Sequence, residues 1–390
     1  MARDLVVSQQ SPLSRVAGSK IWPSIGRQDP PHRATIVRGR ERVAAFQPAL
    51  VALSRRTGQI GAMDWIDHFL YSPNALKKDP HLVLIRDASL SWRGETDPLL
   101  GAVLMYEYRL AGLPTGIFAT DDIYGSRTVL APPSHGCAIG RAAATELMRR
   151  NAAAVFISVN QAPSHGPDTQ PTAAAGIRVA QRTRWTPAYL QLSHSFDSLL
   201  ARLGPRTRRN LRYYPRRAAA EMGAYFVPNA QPNLQEFLEL NRASTHPLSH
   251  ADAVWRHRLL DQSRMELTTL YAGMRAANGS WLSLIWGKRF NGVTEVDWQI
   301  NRNGDSHHSF SIAMRALLME HEIGLGTNAL RFVGGTQHSL SASCSAEPIT
   351  DILAIRQGSA RSWTLRRFAK QILPDANFLR GALQDDNMAA

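Results

Sequence analysis

The stretch GPRTRRNLRYYPRR holds Arg206, Arg208, Arg209, Arg212, Arg216 and Arg217 and no acid. Guanidinium groups so close together match the oxygens of phosphate or carboxylate, so the segment reads as a handle for a small anion, a nucleic-acid arm, or a solvated basic face. Further along, WLSLIWGKRFNGVTEVDWQI sets Glu295, Asp297 and Gln299 at alternate positions. Carboxylates there can take a proton from an attacking amine or hydroxyl, directly or through water. The polar loop NRNGDSHHS then leads into a helix, where first-turn N–H groups and the helix dipole favour a pyrophosphate. Ser309 or Ser311 is the expected N-cap, and a capped helix without a ligand accounts for the same residues.

Composition sets the limits around these groups. A chain of 390 residues with 44% hydrophobic content is long enough for two globular cores. The formal charge of +14 points to an anionic partner. Nearly all of the excess is arginine, with lysine only at Lys20, Lys77, Lys78, Lys288 and Lys370, so much of it also reads as solvated surface. Cys137 and Cys344 are too few for a disulfide scaffold or a cysteine-based zinc site, and no metal is expected. No apolar run is long enough to span a bilayer and no secretory signal opens the sequence, so the expectation is a cytoplasmic protein without a membrane span.

The elements that must position the site follow from periodicity. Residues 1–33 lack apolar periodicity and read as a flexible leader. ATIVRG, HLVLIRD, LLGAVLMYEYRL and AAVFISVN read as strands, and residues 43–53 and CAIGRAAATELMRR as helices. After the loop QAPSHGPDTQPTAAAG, the strand WTPAYLQL enters a second half. There SFDSLLARLG is a helix, Pro205 opens the arginine-rich helix, and Pro215 predicts a kink or break in it. PNLQEFLELNRAST and AVWRHRLLDQ read as helices, LTTLYAGM as a strand, SIAMRALLMEHEI as a helix, and NALRFVGG as a strand. SARSWTLRRFAKQIL reads as a basic amphipathic helix. The expected division is a leader over 1–33, domains over 34–190 and 191–345, and a basic C-terminal helix and tail over 346–390.

Asn291 and Gly292 form a two-residue loop that favours a type I′ turn and so fixes a hairpin register. Around that turn Phe290 faces Val293, Lys288 faces Glu295, Trp286 faces Asp297 and Leu284 faces Gln299. Unbroken alternation sends Val296, Trp298 and Ile300 to one face and Glu295, Asp297 and Gln299 to the other. Lys288 is expected to occupy Glu295, whereas the bulk of Trp286 is expected to exclude water from Asp297 and raise its pKa. Asp297 is therefore the better candidate for a general base, ahead of Glu295 and His308.

RRNLRYYPRR on a helix, a hairpin, the loop NRNGDSHHS, a helix and a strand ending FVGG together resemble the acyltransferase domain of the GNAT superfamily, over residues 191–336. The paired halves resemble the tandem-GNAT group, which includes CelD-like acetyltransferases and FemAB-like aminoacyltransferases, the first half in element order only. The resemblance implies a tandem GNAT-like α/β fold of two mixed sheets flanked by helices. It also implies transfer of an acetyl or longer acyl group from acyl-CoA to an amine or hydroxyl of a small-molecule acceptor. It places the donor on Gln299, Ile300, Asn301, Gly304, Ser309 and Ser311, the acceptor beside Trp286, and an anionic acceptor or a CoA phosphate beside Arg208, Arg209 and Arg212. Two departures stand out. Aligned by Gly304, the family loop Gln/Arg-x-x-Gly-x-Gly/Ala has Asn301 first and Ser306 last. FVGG also lacks the preceding Asp and the following Phe-Lys pair of FemAB-like proteins, which makes aminoacyl-tRNA the weaker analogy for the donor.

A non-catalytic scaffold or RNA-associated protein on the same fold is the competing class. Nucleic acid is not favoured, because Tyr213 and Tyr214 are the only stacking residues in the arginine-dense segment. Cys137, with His135 close by, reads as a buried helical thiol or an activated one. Pro247 interrupts the helix that would align His246 and His250 as metal ligands. His257 and Asp261 read as an acyltransferase-like His-x-x-x-Asp or as a helix-surface pair. The absence of Gly-x-Ser-x-Gly, Walker A, His-Glu-x-x-His and Cys-x-x-Cys patterns removes the simplest hydrolase, NTPase and zinc-protease readings.

Overall fold

The computed structural model describes residues 32–57, 66–73, 75–87, 99–120, 128–132, 134–160, 176–263, 269–304, 308–333, 335–336 and 340–356. Its first half runs β1 (His32–Arg38), α1 (Arg40–Ala44), α2 (Gln47–Arg56), α3 (Ile66–Tyr71), β2 (Asp79–Asp87), β3 (Leu99–Leu110), β4 (Leu113–Ala119), β5 (Val129–Leu130), α4 (Gly136–Arg149) and β6 (Ala154–Val159). The second half runs β7 (Ile177–Gln191), α5 (Phe196–Arg202), α6 (Pro205–Met222), β8 (Tyr225–Val227), α7 (Leu234–Arg242), α8 (His250–Ser263), β9 (Thr269–Arg275), β10 (Trp281–Phe290), β11 (Val293–Asn301), α9 (Phe310–Gly324) and β12 (Ala329–Phe332). A last strand, β13 (Ser345–Arg356), completes the described chain.

The same unit occurs twice. Three antiparallel strands lead through a helix to a fourth strand parallel to the third: β2, β3 and β4 through α4 to β6, and β9, β10 and β11 through α9 to β12. The mixed α/β class is as read from the sequence. In place of two sheets, however, the strands form one, in the order β1-β2-β3-β4-β6-β13-β7-β12-β11-β10-β9-β8, with β5 on β3. The join is β13, which pairs antiparallel with β6 on one side and β7 on the other.

Helices cover each half on both faces. Ile139, Ala143 and Leu147 of α4 pack on Val83, Val103 and Val155, while α1 to α3 close the opposite face around Phe69 and Tyr106. In the second half Leu211 and Ala218 of α6 and Met314 and Leu318 of α9 pack on Ile285, Val296 and Leu330. Phe237 of α7 and Leu260 of α8 cover Trp281, Leu284 and Trp286 on the other side. Each fully buried side chain of this size contributes ~1.5–3 kcal/mol of transfer free energy, so the two faces hold the site strands rigidly.

Three local expectations change. Residues 43–53 form two helices, because the chain turns at Ala45 and Phe46 and Pro48 opens a new first turn. α6 runs through Pro215 without interruption, its buried face anchored by Thr207, Leu211 and Ala218 on either side of the missing N–H. Residues 346–356, read as the start of a helical tail, belong to β13. Residues 1–31 of the leader and the basic helix read over 359–373 lie outside the described residues, while His32 and Arg33 belong to β1 rather than to a leader. Among the described residues no helix is long and apolar enough to cross a membrane, and no group of three or more His, Cys, Asp or Glu side chains is placed to hold a metal.

Candidate functional site

The hairpin of β10 and β11 turns at Asn291 and Gly292, both with positive φ, as a type I′ turn requires. Phe290 faces Val293 and Lys288 faces Glu295, as expected from the turn. Beyond that the register slips. Gly287 faces Val296 and Trp286 faces Trp298, so Asp297 is the extra residue of a β-bulge. Gly287 permits this, since a Cβ there would lie 1.8 Å from the carbonyl oxygen of Glu295. The expected pairings of Trp286 with Asp297 and of Leu284 with Gln299 are therefore replaced by Trp286 with Trp298 and Leu284 with Ile300.

The bulge also redistributes the faces. Val296 packs with α9, whereas Trp298 and Ile300 pack beneath α7 and α8. Gln299 reaches α9, on the side opposite Glu295, so the three polar residues read as one face are divided between two. Trp286 and Ile300 are 2% and 5% exposed and lie in the core beneath α7 and α8.

β11 and β12 are parallel only from Val293 with Ala329 to Val296 with Phe332. Asp297 is the first residue of β11 past the last pair, at the point where the strands part. On the face away from α9, Lys288, Glu295, Arg331 and Tyr189 stand in register on four adjacent strands. Arg331 donates to Glu295 Oε1 at 2.5 Å and to Glu347 Oε1 at 2.7 Å. Burial opposes the Arg331 charge, but the two carboxylates outweigh it and raise the guanidinium pKa above its ordinary value. Lys288 is 5% exposed. Burial pulls its pKa down to about 8, against the attraction of Asp297 and then Glu295. Glu295 is thus engaged chiefly by Arg331 rather than by Lys288 alone.

On the α9 face the fork is spanned by Arg315. Its Nε donates to Gln299 Oε1 at 3.0 Å, and its Nη1 donates to Thr336 Oγ1 at 2.8 Å, beyond the end of β12. Gln299 Nε2 in turn donates to Asn301 Oδ1 and to the carbonyl of Ser311. Ser309 is the N-cap of α9 but makes no side-chain capping bond, and Ser311 lies in the first turn. His308 stacks on Phe310, and its Nε2 lies 2.8 Å from Glu221 Oε2 at the end of α6. Gly304 packs so closely on His308 that a Cβ would lie 2.8 Å from its carbonyl oxygen, a steric reason for glycine there. Residues 305–307 of the loop, Ser306 among them, lie outside the described residues.

α6 packs along α9. Helical spacing brings Arg208, Arg209, Arg212, Tyr213, Arg216 and Arg217 to one open groove of about 940 Å³, which reaches Glu221 at its far end. Arg212 pairs with Asp197 at 2.9 Å and Arg217 with Glu221 at 2.8 Å; both pairs are solvent-facing, so an incoming anion can compete for the guanidiniums. The three arginines singled out in the sequence are therefore brought together, and the groove ends beside His308 and the start of α9.

Sequence reasoning missed Arg315, Thr336, Arg331 and Glu347. Arg315 had a local signal, a lone charge within the apolar helix SIAMRALLMEHEI. The others meet only through strand pairing distant in sequence. Elsewhere, Cys137 is buried in the core under α4, and His257 meets the carbonyl of Pro232 at 3.0 Å.

No protein-family model and no curated protein sequence matches the chain. Among solved structures it is similar to a tandem GNAT protein from the clavulanic acid biosynthesis pathway, at 13% identity over 84% of this chain and 100% of that one, with a TM-score of 0.44. It is similar to L-PGS from Bacillus licheniformis at 11% identity over 83% and 96%, TM-score 0.47, and to FemX at 11% identity over 74% and 90%, TM-score 0.44. At these identities and scores the likeness carries no inference about ligand or reaction, which must come from the chain's own residues.

Proposed function

We propose that this chain is a GNAT-type transferase that moves an acetyl or longer acyl group from acyl-CoA to an amine or hydroxyl of a small acceptor. One observation carries the reading: a line of contacts joins the arginine face of α6 to the fork, from Glu221 of α6 to His308 beside the start of α9, and from Ser311 in its first turn to Gln299 of β11. A CoA thioester is built in the same order, with phosphates at one end and a reactive carbonyl at the other. Guanidiniums hold phosphate oxygens, and a helix N-terminus adds partial positive charge. At the fork, nitrogen or oxygen of the acceptor forms a bond to the thioester carbonyl carbon, the carbon–sulfur bond breaks, and sulfur leaves as thiolate. Asp297 is the group assigned to take the acceptor's proton, since Glu295 is committed to Arg331.

Calorimetric titration of acetyl-CoA tests the donor site. Replacing Arg208, Arg209 and Arg212 together by Ala is expected to weaken binding by about tenfold or more, and Ser311→Asp to weaken it further through charge repulsion. Tight RNA binding by the wild type, with a steep salt dependence that the triple replacement abolishes, would instead make the groove a nucleic-acid site and revive aminoacyl-tRNA as donor. For the proton acceptor, amines are screened for thiol release from acetyl-CoA. With an acceptor so found, Asp297→Asn is expected to lower turnover by ~10² or more while CoA affinity survives. Full turnover in that variant between pH 6 and 9 would remove Asp297 from the chemistry.

A further inference from the structure

Arg315 is a part-buried guanidinium with no acid beside it among the described residues. Its two hydrogen bonds go to Gln299 and Thr336, both neutral, and its flat face lies over the Phe332 ring at 5.0 Å. Among the described residues no carboxylate pairs with it, and Nη2 has no acceptor. Among the described residues Cys344 is the ionisable neighbour. Burial pushes that thiol up to about 11, against the pull of Arg315, so it remains neutral at pH 7 and cannot serve as counter-ion. Two other part-buried arginines near these strands are treated differently: Arg331 has Glu295 and Glu347, and Arg289 has Glu322.

Drawing a guanidinium partly out of water without a counter-charge is unfavourable, and a ligand carboxylate would offset that cost. The position of Arg315 is informative. Gln299 lies on β11 past the last parallel pair and Thr336 lies past the end of β12, so Arg315 bridges the fork. Its two neutral partners fix Nε and Nη1 and leave the Nη2 edge of the fork-shaped donor for a third group. A planar guanidinium held in this way is shaped for a carboxylate.

We propose that Arg315 binds a ligand carboxylate in the fork between β11 and β12, with Gln299 and Thr336 as positioning residues that hold the guanidinium in place. The carboxylate belongs either to the acyl group of the donor, as in a dicarboxylic acyl-CoA, or to the acceptor. The assignment to these two sources rests on the transferase reading; the carboxylate site itself does not. It gives the fork a charge preference that the arginine groove of α6, which serves phosphates, cannot supply.

Two arms of calorimetric titration, each on wild type, Arg315→Gln and Arg315→Lys, test the proposal. The first compares succinyl-CoA with butyryl-CoA, which differ in the terminal carboxylate, with CoA as the common control. The second compares acetate with acetamide at millimolar concentrations and requires no knowledge of the acceptor. The Arg315 Nε–Hε resonance is followed in parallel. A donor carboxylate is expected to make wild type favour succinyl-CoA by about 10- to 100-fold, with the preference lost in Arg315→Gln and partly kept in Arg315→Lys. Equal binding of the two thioesters, with acetate alone shifting the Arg315 resonance and acetamide not, assigns the carboxylate to the acceptor. If wild type distinguishes neither pair, or if Arg315→Gln retains the same preference, the proposal is overturned. If CoA itself fails to bind while acetate still depends on Arg315, the acyl-CoA reading falls and the carboxylate site stands.

Discussion

Arg331 and Arg315 lie on opposite faces of the same two strands and have opposite surroundings. Arg331 sits between Glu295 and Glu347, in a row of polar side chains that crosses β10, β11, β12 and β7 in register. Among the described residues Arg315 hydrogen-bonds only an amide and a hydroxyl. One guanidinium is complete within the chain, so its work is structural. The other is part-buried and, among the described residues, has no acid to meet its charge, which marks a place where a ligand can complete it. Burial alone does not separate a structural arginine from a binding one; the charge of its neighbours does.

The largest expected effect breaks the complete side of this contrast. Arg331→Met takes the guanidinium from half-buried Glu295 and Glu347, and is expected to cost ~1–3 kcal/mol in urea unfolding. Restoring neutrality by adding Glu295→Gln and Glu347→Gln should recover most of the loss; no recovery would mean that the arginine acts by packing rather than charge. A smaller effect concerns Lys288 at the end of the row. Burial brings its pKa down to about 8 in the folded chain, against the ordinary 10.5 of an unfolded lysine. Between those values the unfolded state binds more protons, so stability rises with pH. The urea midpoint should therefore climb from pH 8 towards 10.5 in the wild type, and Lys288→Met should flatten the climb. The smallest effect belongs to Arg315. Since no acid is left behind, Arg315→Met is expected to change stability by less than ~1 kcal/mol, or to raise it. A loss as large as that of Arg331→Met would erase the distinction between the two arginines.

How much of this was legible in the sequence depended on how far each feature reaches along the chain. The Asn291–Gly292 turn, the arginine-rich helix and α9 are local, and turn chemistry and helical spacing specify them. The bulge was half legible: a glycine inside a strand, here Gly287, is a recognised sign of one, yet register counted from the turn passed over it and misplaced Asp297 by one residue. β13 was missed for a physical reason. Pro348 and the charged residues Glu347 and Asp351 argue against a central strand, and their environment is supplied by Arg331, Arg182 and Arg184 from elsewhere. The bridge from Gln299 through Arg315 to Thr336 likewise unites three elements whose nearness no sequence window displays.

The place of β13 in the sheet has a consequence for how the molecule is made. Its partner β6 leaves the ribosome long before it does, and the Thr350–Val159 to Ile355–Ala154 pairing cannot form until residue 355 has emerged. During synthesis the first half therefore carries an open edge along Ala154–Val159, six fully buried residues in the finished protein. The two halves cannot mature as independent modules, one after the other: the strand that seals the first is delivered last, after the whole of the second has been translated. Closure of this edge is a long-range event of high contact order, so it should be slow, and it ties completion of both halves to a single late step.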